Sequence, residues 1–498
     1  MKDLLFECIQ RVTEIGLKVM VVISDQGSNN RNMFEKLLGV SIDKPYFELD
    51  NEKVYVMYDP SHLVKNVRNN FKKHGFALDG KDILWIHVRD FYNADSSKPI
   101  TMAPKLKKTH LDLPPFSPLR VKLATQVLSH SVASGMAMMA QWNIITDEAS
   151  HTADFIENMD QLFNCFNSMT IGSTAKMRHA ITSSSGHVSF LNEKLLWIRR
   201  VKSKGKRSLP CLAGWELSIN ALLMLWDTLH SQHNVKFLLT NRLNQDCVEN
   251  LFSVIRAKGA QRDNPDAAQF RAAFRQVMVD TVMVPSKFSN CEEDVDSFIC
   301  SLEHVKKSSD TPPTEPAPQP SVLDTVPWSV RSILTVCTLP SQEHEQHCLD
   351  TQENNVLAYI AGYIVRKLSK RVCVSCKDKI SADLDLENPN HEFIAAKSYK
   401  CLLAPCSLLL GTVQLLELKY REVITATMHS EKLKFLLTAH LSKVENLKTL
   451  QCSVCHLELL VLHIVINIRL HHTIKETNQS LKNNKDRKNR KTIKFSHM

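Results

Sequence analysis

Lys18-Val19-Met20-Val21-Val22-Ile23, followed by Ser24-Asp25-Gln26-Gly27-Ser28-Asn29-Asn30, is the stretch that decides the fold. The first six residues form a short, almost unbroken apolar run, the pattern of a strand buried on both faces. The next seven are a polar turn. Ahead of the strand, Leu4, Leu5, Cys8, Ile9, Val12 and Ile15 recur at helical spacing, with Gly16 where a helix C-terminus wants one. A helix that feeds directly into a buried strand reads as the middle of an α/β unit. A further helix is expected from about Asn32 to Leu38, then a strand over Val54–Tyr58. Asp59-Pro60-Ser61-His62 follows, and then a helix over Leu63–Lys73. Residues 1–75 thus read α-β-α-β-α.

Beyond about residue 105 the pattern becomes nearly all helical to 240, with one polar break at Thr182–Gly186, and 239–280 reads as a further helical pair. Thr311–Pro320 holds five prolines in ten positions and reads as a linker. A last helical module covers 345–480, and no repeat of fixed period is evident.

Composition narrows the classes. The hydrophobic set makes up 43% of the 498 residues and charged residues 23%, an ordinary globular mixture that excludes wholesale disorder. Glycine, at 13 residues, is far below the usual ~7%, which favours helices over glycine-rich β architectures. The net charge of +10 suits an acidic partner without requiring one. Fourteen scattered cysteines are too few for a disulfide scaffold and point to a reducing compartment, cytosol or nucleus. The longest apolar stretch, Leu457–Ile468, is too short to span a membrane and carries Glu458 and His463. The N-terminal residues lack the order of a signal peptide, so no membrane partner is expected.

Several residue sets could carry chemistry. Asp25 follows a strand end, where open α/β sheets collect ligands and metals; an Asp there also suits a turn or helix cap. Asp59 and His62, three apart at a strand-to-helix junction, could bind metal or phosphate, or act as an N-cap and a hydrogen-bonded histidine. Lys65, Arg68, Lys72 and Lys73 behind them read either as a phosphate-facing surface or as a solvated face. In Asn244–Phe252, Asp246 and Glu249 share one helical face. Glu249 would border an apolar face of Val248, Leu251, Phe252 and Ile255. Arg242, Arg256 and Lys258 nearby suit a polyanion or simple salt bridging. Cys373-x-x-Cys376 and Cys452-x-x-Cys455 could together form a tetrahedral zinc site, or remain buried free thiols. Cys401 and Cys406 are less well spaced. The tail from Lys482 to Lys494 has seven basic residues against one acidic, and suits nuclear import, non-specific DNA contact or simple solubility.

Five stretches together resemble the P-element-type DNA transposases, whose relatives include proteins with an N-terminal THAP zinc finger. They are residues 17–40 (LKVMVVISDQGSNNRNMFEKLLGV), 58–71 (YDPSHLVKNVRNNF), 121–136 (VKLATQVLSHSVASGM), 238–260 (LLTNRLNQDCVENLFSVIRAKGA) and 357–368 (LAYIAGYIVRKL). The resemblance implies α/β plus α: an RNase H-like core interrupted by a helical, GTP-binding-type insertion, then a helical C-terminal domain. On that pattern 1–105 is the first part of the core, 106–238 the insertion, and 239–285 the returning helical part with the catalytic Glu. Residues 286–344 are a Pro-rich linker region, 345–480 the C-terminal domain and 481–498 a basic tail.

Also by resemblance, two divalent ions, Mg²⁺ or Mn²⁺, held by an Asp/Asp/Glu set would serve DNA strand cleavage and strand transfer. Metals ~3.5–4 Å apart need oxygen ligands on neighbouring strand ends and a later helix. Asp25 and Glu249 match that set as catalytic metal ligands, with Asp246 accessory and Asp59 and His62 structural or supporting. Lys65, Arg68, Arg256 and Lys258 are the DNA-contact candidates. The insertion is expected to take GTP without a GxxxxGK[ST] loop, which this sequence lacks. The partners implied are transposon-end and target DNA and further copies of the chain, and the location is the nucleus. The family's core opens with three strands that carry its first catalytic Asp, and neither these nor a THAP finger precedes Asp25. The expectation is therefore an N-terminally truncated transposase, inactive alone, or alternatively a non-enzymatic remnant that binds DNA or a partner transposase.

Overall fold

The computed structural model describes residues 1–114, 117–172, 177–205, 208–258, 265–279, 349–398 and 403–495. Two compact units result, Met1–Pro313 and Thr314–Met498. The Pro-rich stretch at Thr311–Pro320, and all of 280–348 around it, lies outside the described residues.

The first unit opens with α1 (Lys2–Glu14), β1 (Val21–Ser24) and α2 (Ser28–Asn32), which runs on into a π turn over Met33–Leu37. β2 (Tyr46–Leu49) and β3 (Glu52–Tyr58) form a hairpin, and α3 (Pro60–His74) follows. The sheet order is β1-β3-β2: β1 is parallel to β3, with Val21 opposite Tyr55 and Ser24 opposite Tyr58, and β2 is antiparallel. β3 is the centre, and Val54–Tyr58 are buried without a break. Its inter-strand position, not alternation, explains the continuous apolar run. β1 is only half-buried and is an edge strand among the described residues.

The α-β-α-β-α expectation omitted β2. Its hairpin turn, Asp50-Asn51, holds both residues at positive φ (51° and 63°), as a two-residue turn matching strand twist requires. The expected helix at α1 is present, but its apolar face is only partly covered: Ile9 is buried, whereas Leu4 and, just past the helix, Ile15 are 65% and 74% exposed.

The helical stretch comprises α4 (Trp85–Ser96), α5 (Lys108–Leu111), α6 (Val121–Val127), α7 (His130–Gln141), α8 (Ala149–Cys165), α9 (His187–Arg200) and α10 (Pro210–Ser231). Three short strands, β4 (Phe76–Leu78), β5 (Lys81–Ile83) and β6 (Lys202–Ser203), pair antiparallel and join the segment before α4 to the one after α9. Beneath them Phe71, Phe76, Trp85, Phe155 and Trp197 form one aromatic cluster with centroids 5.1–5.9 Å apart. α10 crosses back over the core. The Ser218 hydroxyl accepts from the Tyr58 amide (3.0 Å), and Tyr55 Oη meets Thr228 Oγ1 (2.7 Å). The chain then forms α11 (Asp246–Lys258) and α12 (Ala267–Val279), the expected pair.

The second unit is helical, as expected, and its longest helix is Leu457–Phe495. The window Leu457–Ile474 has a mean hydropathy of 1.3 and is long and apolar enough to cross a membrane by composition, beyond what Leu457–Ile468 alone suggested. Leu457, Val461, Leu462, Val465 and Ile466 are buried within the unit. Arg469 on the same helix pairs with buried Glu417 (2.7 Å), which also takes Arg421 (2.8 Å). Burial pushes the Glu417 carboxyl up while both cations pull it down.

Gly214 lets α10 approach the turn after β1. A Cβ there would meet Gln26 Nε2 and, at 2.8 Å, Leu63 Cδ2. Gln26 donates to the Pro210 carbonyl, so the contact also fixes the turn that carries Asp25. Gly214→Ala is expected to lose about 1–3 kcal/mol by overpacking, more than the ~1 kcal/mol an alanine adds to a helix. A lowered urea midpoint at unchanged slope is the readout.

Candidate active site

Because β1 and β3 are parallel neighbours, Asp25 and Asp59 emerge side by side just past their C-terminal ends. The two carboxylates are used differently. Asp59 is 1% exposed and caps α3: Oδ2 accepts the His62 amide at 2.8 Å, and Oδ1 accepts the Gln245 amide at 3.1 Å. Burial raises the Asp59 pKa against the pull of His62 and of these two amides. Asp25 is exposed, and its Oδ1 accepts from Gly27 N (3.0 Å) and Asn30 Nδ2 (2.7 Å). That is the turn-forming role open from sequence, and it leaves Oδ2 outside these bonds.

The Gln245 amide stands at the threshold of α11. Asp59 therefore draws the start of α11 to the end of β3, across 186 positions of sequence. Ser61 Oγ reaches Asp246 Oδ1 (3.4 Å), and Asn244 Nδ2 reaches Asp246 Oδ2 (3.3 Å), so Asp246 fastens the junction. One turn on, Glu249 Oε1 lies 3.4 Å from His62 Nε2, with its side chain 37% exposed. His62 Nδ1 lies 3.7 Å from Asp59 Oδ2, beyond hydrogen-bond range. His62 thus stands between the buried carboxylate and Glu249.

Lys65 lies one turn beyond His62 and feels the charges of Glu249, Asp59 and Asp25; burial lowers its pKa and the three carboxylates oppose this. Its sequence reading as a DNA contact missed this environment, although the i, i+3 spacing from His62 was the available signal. Arg68 corrects the sequence reading outright. It is fully buried, donating from Nη2 to the Pro118 carbonyl (3.1 Å) and from Nε to Asn69 Oδ1 (2.9 Å), with its pKa lowered to about 10 by burial. It has no surface to offer a phosphate. Lys258 is exposed, and Arg256 lines an open groove with Phe252, Pro265, Phe270 and Arg271.

The apolar face of α11 also differs from expectation. Val254 and Ile255 pack on Ala273 and Val277 of α12, whereas Val248 and Phe252 are 51% and 42% exposed. In the second unit, the structure brings Cys373, Cys376, Cys452 and Cys455 together. Cys406 caps the helix Ser407–Thr427 instead, and Cys401 lies outside the described residues.

Asp59→Ala would orphan two amides and release α11. We expect a loss of about 2–4 kcal/mol in urea unfolding, the sum of an N-cap and a buried unsatisfied donor. Asp25→Asn, at an exposed turn, should stay within about 0.5 kcal/mol.

Three family models match the chain in order: a TNP-like RNase H N-terminal domain over residues 1–38, a TNP-like GTP-binding insertion domain over 61–180, and a TNP-like RNase H C-terminal domain over 241–275. Asp25 falls in the first and Glu249 in the third. The Transposable element P transposase of Drosophila melanogaster is 24% identical over 379 residues, covering 74% of this chain and 48% of that protein. The chain thus spans about half the length of that relative. A solved structure, the Drosophila P element transposase strand transfer complex, is 27% identical with a TM-score of 0.52, covering 56% of this chain and 64% of that one.

Proposed function

We propose that this chain, a P-element-type transposase by sequence and fold, binds DNA in the nucleus and supplies two of the three carboxylates for divalent-metal-dependent strand cleavage and transfer. The observation that carries this reading is the return of Glu249, after the whole helical insertion, to the strand ends that bear Asp25 and Asp59. Asp25 Oδ2 and Glu249 Oε2 are outside the bonds described above, and such oxygens suit a hard cation such as Mg²⁺ or Mn²⁺. Bound there, the metal would activate the attacking oxygen and stabilise the leaving one. Lys65 offsets the negative charge that the carboxylates bring to one place.

Asp59 does not complete the set, because it is 1% exposed and spends its oxygens inside the fold on the start of α3 and of α11. Asp246 is likewise engaged by Ser61 and Asn244. Cleavage then needs a third carboxylate beyond the described residues, which we assign to a partner, and in this reading the chain alone acts as a DNA-binding protein. Arg256 and Lys258 are the contacts we assign to phosphate, and the insertion is assigned GTP. Further copies of the chain are the natural partners on paired transposon ends.

Full-length protein with Mn²⁺ and nicked duplex should retain DNA without cutting it, and affinity should fall steeply as salt rises. Arg256→Ala should weaken binding and shallow the salt slope by about 1. Salt-independent binding would remove DNA as the partner. Cutting by the chain alone, abolished in Glu249→Gln, would falsify the two-carboxylate reading. GTP titrated into the same protein should give saturable heat; none would sink the nucleotide assignment.

A further inference from the structure

We infer that Cys373, Cys376, Cys452 and Cys455 bind one zinc ion, which clamps the start of the last helix to a corner of the second unit 79 residues earlier. The four sulfurs lie within 4.8 Å of one another, and they are the one such group of His, Cys, Asp or Glu among the described residues. Cys373 Sγ is 3.8 Å from Cys452 Sγ and 3.9 Å from Cys455 Sγ. A tetrahedron of sulfurs at the usual Zn–S distance of ~2.3 Å has edges of ~3.8 Å. A disulfide would need ~2.05 Å. The spacing is that of ligands around a single ion, not of bonded pairs.

Both cysteine pairs sit on turns shaped for the task. The Cys373 carbonyl accepts from Cys376 N (3.1 Å) and Lys377 N (3.0 Å), wrapping the first pair into a tight turn at the head of Val374–Ile380. In the second, the amides of Val454 and Cys455 face the Cys452 sulfur. His456 takes a left-handed φ of 49°, which turns the chain back at once after Cys455. The Cys452 carbonyl accepts from His456 N (3.0 Å), and Cys452 N donates to Glu458 Oε2 (3.2 Å). Glu458 is the second residue of the long helix, so the turn and the helix are locked together. Cys376 is 2% exposed, and three sulfurs so close around a buried fourth form a poor core for thiols but a closed, all-sulfur site for zinc.

The consequence is mechanical. Leu457 begins two residues after Cys455, and the same helix runs to Phe495, where Lys482, Lys485, Arg487, Lys488, Arg490, Lys491 and Lys494 lie in sequence. The clamp fixes the root of the helix that carries the basic tail. Closing a loop of this length also lowers the entropy of the unfolded second unit.

Full-length protein purified without chelator should contain one zinc per chain by mass spectrometry of the metal. Cobalt exchanged for it should give the intense visible bands and near-ultraviolet thiolate charge transfer of a tetrahedral all-sulfur site. Cys376→Ser and Cys452→Ser should each lose the metal, and Cys406→Ser should keep it. If the first two variants fail to fold, the cobalt spectrum of the unaltered protein decides. Metal-free protein without cobalt bands, iron in place of zinc, or two disulfides in thiol titration would each overturn the assignment.

Discussion

The carboxylate of Asp59 is the constraint on which the first unit depends. It sits at the end of the most buried strand, and its two oxygens answer amides from opposite ends of the chain's itinerary: His62 at the start of α3 and Gln245 before α11. Everything between is the helical insertion and the return through α10, whose Ser218 holds the end of the same strand. A buried carboxylate is costly unless its hydrogen-bonding capacity is filled. Filling it with backbone amides makes it insensitive to side-chain rotamers and turns it into a fixed point. Glu249 is then placed by the helix alone, since α11 begins where Asp59 holds it and one turn carries Glu249 to His62. The residue that builds the site is thus not one that is free to act in it.

α3 shows how the same charge can serve two ends. Lys65 and Arg68 are three apart and share the inward face with His62, so neither is a surface cation in the ordinary sense. Lys65 is balanced by carboxylates gathered from three segments. Arg68 is balanced by a carbonyl and an amide oxygen and by no acid among the described residues, and its lowered pKa still leaves it charged at neutral pH. The Lys65 ammonium therefore belongs to the electrostatics of the site. The Arg68 guanidinium belongs to the junction between α3 and the Ser117–Leu119 turn ahead of α6. Composition counts both as basic; only the helical phase and the approach of Pro118 separate them.

The parts of the fold legible in the sequence were those fixed by long runs of local pattern. β1, β3, α3 and the helices of the insertion follow from uninterrupted apolar runs and periodicity, and Asp25 and Asp59 were found because polar residues punctuate those runs. β2 was missed because four residues, Tyr46–Leu49, are too short to assert a period; the decisive signal was the Asp50-Asn51 turn. The β4–β5–β6 sheet was missed because its third strand arrives about 120 residues after the other two, and no local pattern encodes that pairing. The inward direction of α11 was misjudged for a related reason. Its apolar residues ring more than one face, and α12 selects Val254 and Ile255 over Val248 and Phe252. For Glu249, family resemblance implied a role that spacing alone left open, and the structure sets the residue beside His62.

β1 carries the final step. A parallel strand in an α/β core is ordinarily paired on both sides and covered on both faces, yet β1 is half-buried and borders only β3 among the described residues. α1 and the turn after it leave Leu4, Ile15 and Leu17 exposed. Such an edge is a template for another strand, and Asp25 sits at its end. The open side of the sheet and the exposed carboxylate of Asp25 therefore coincide at the end of β1.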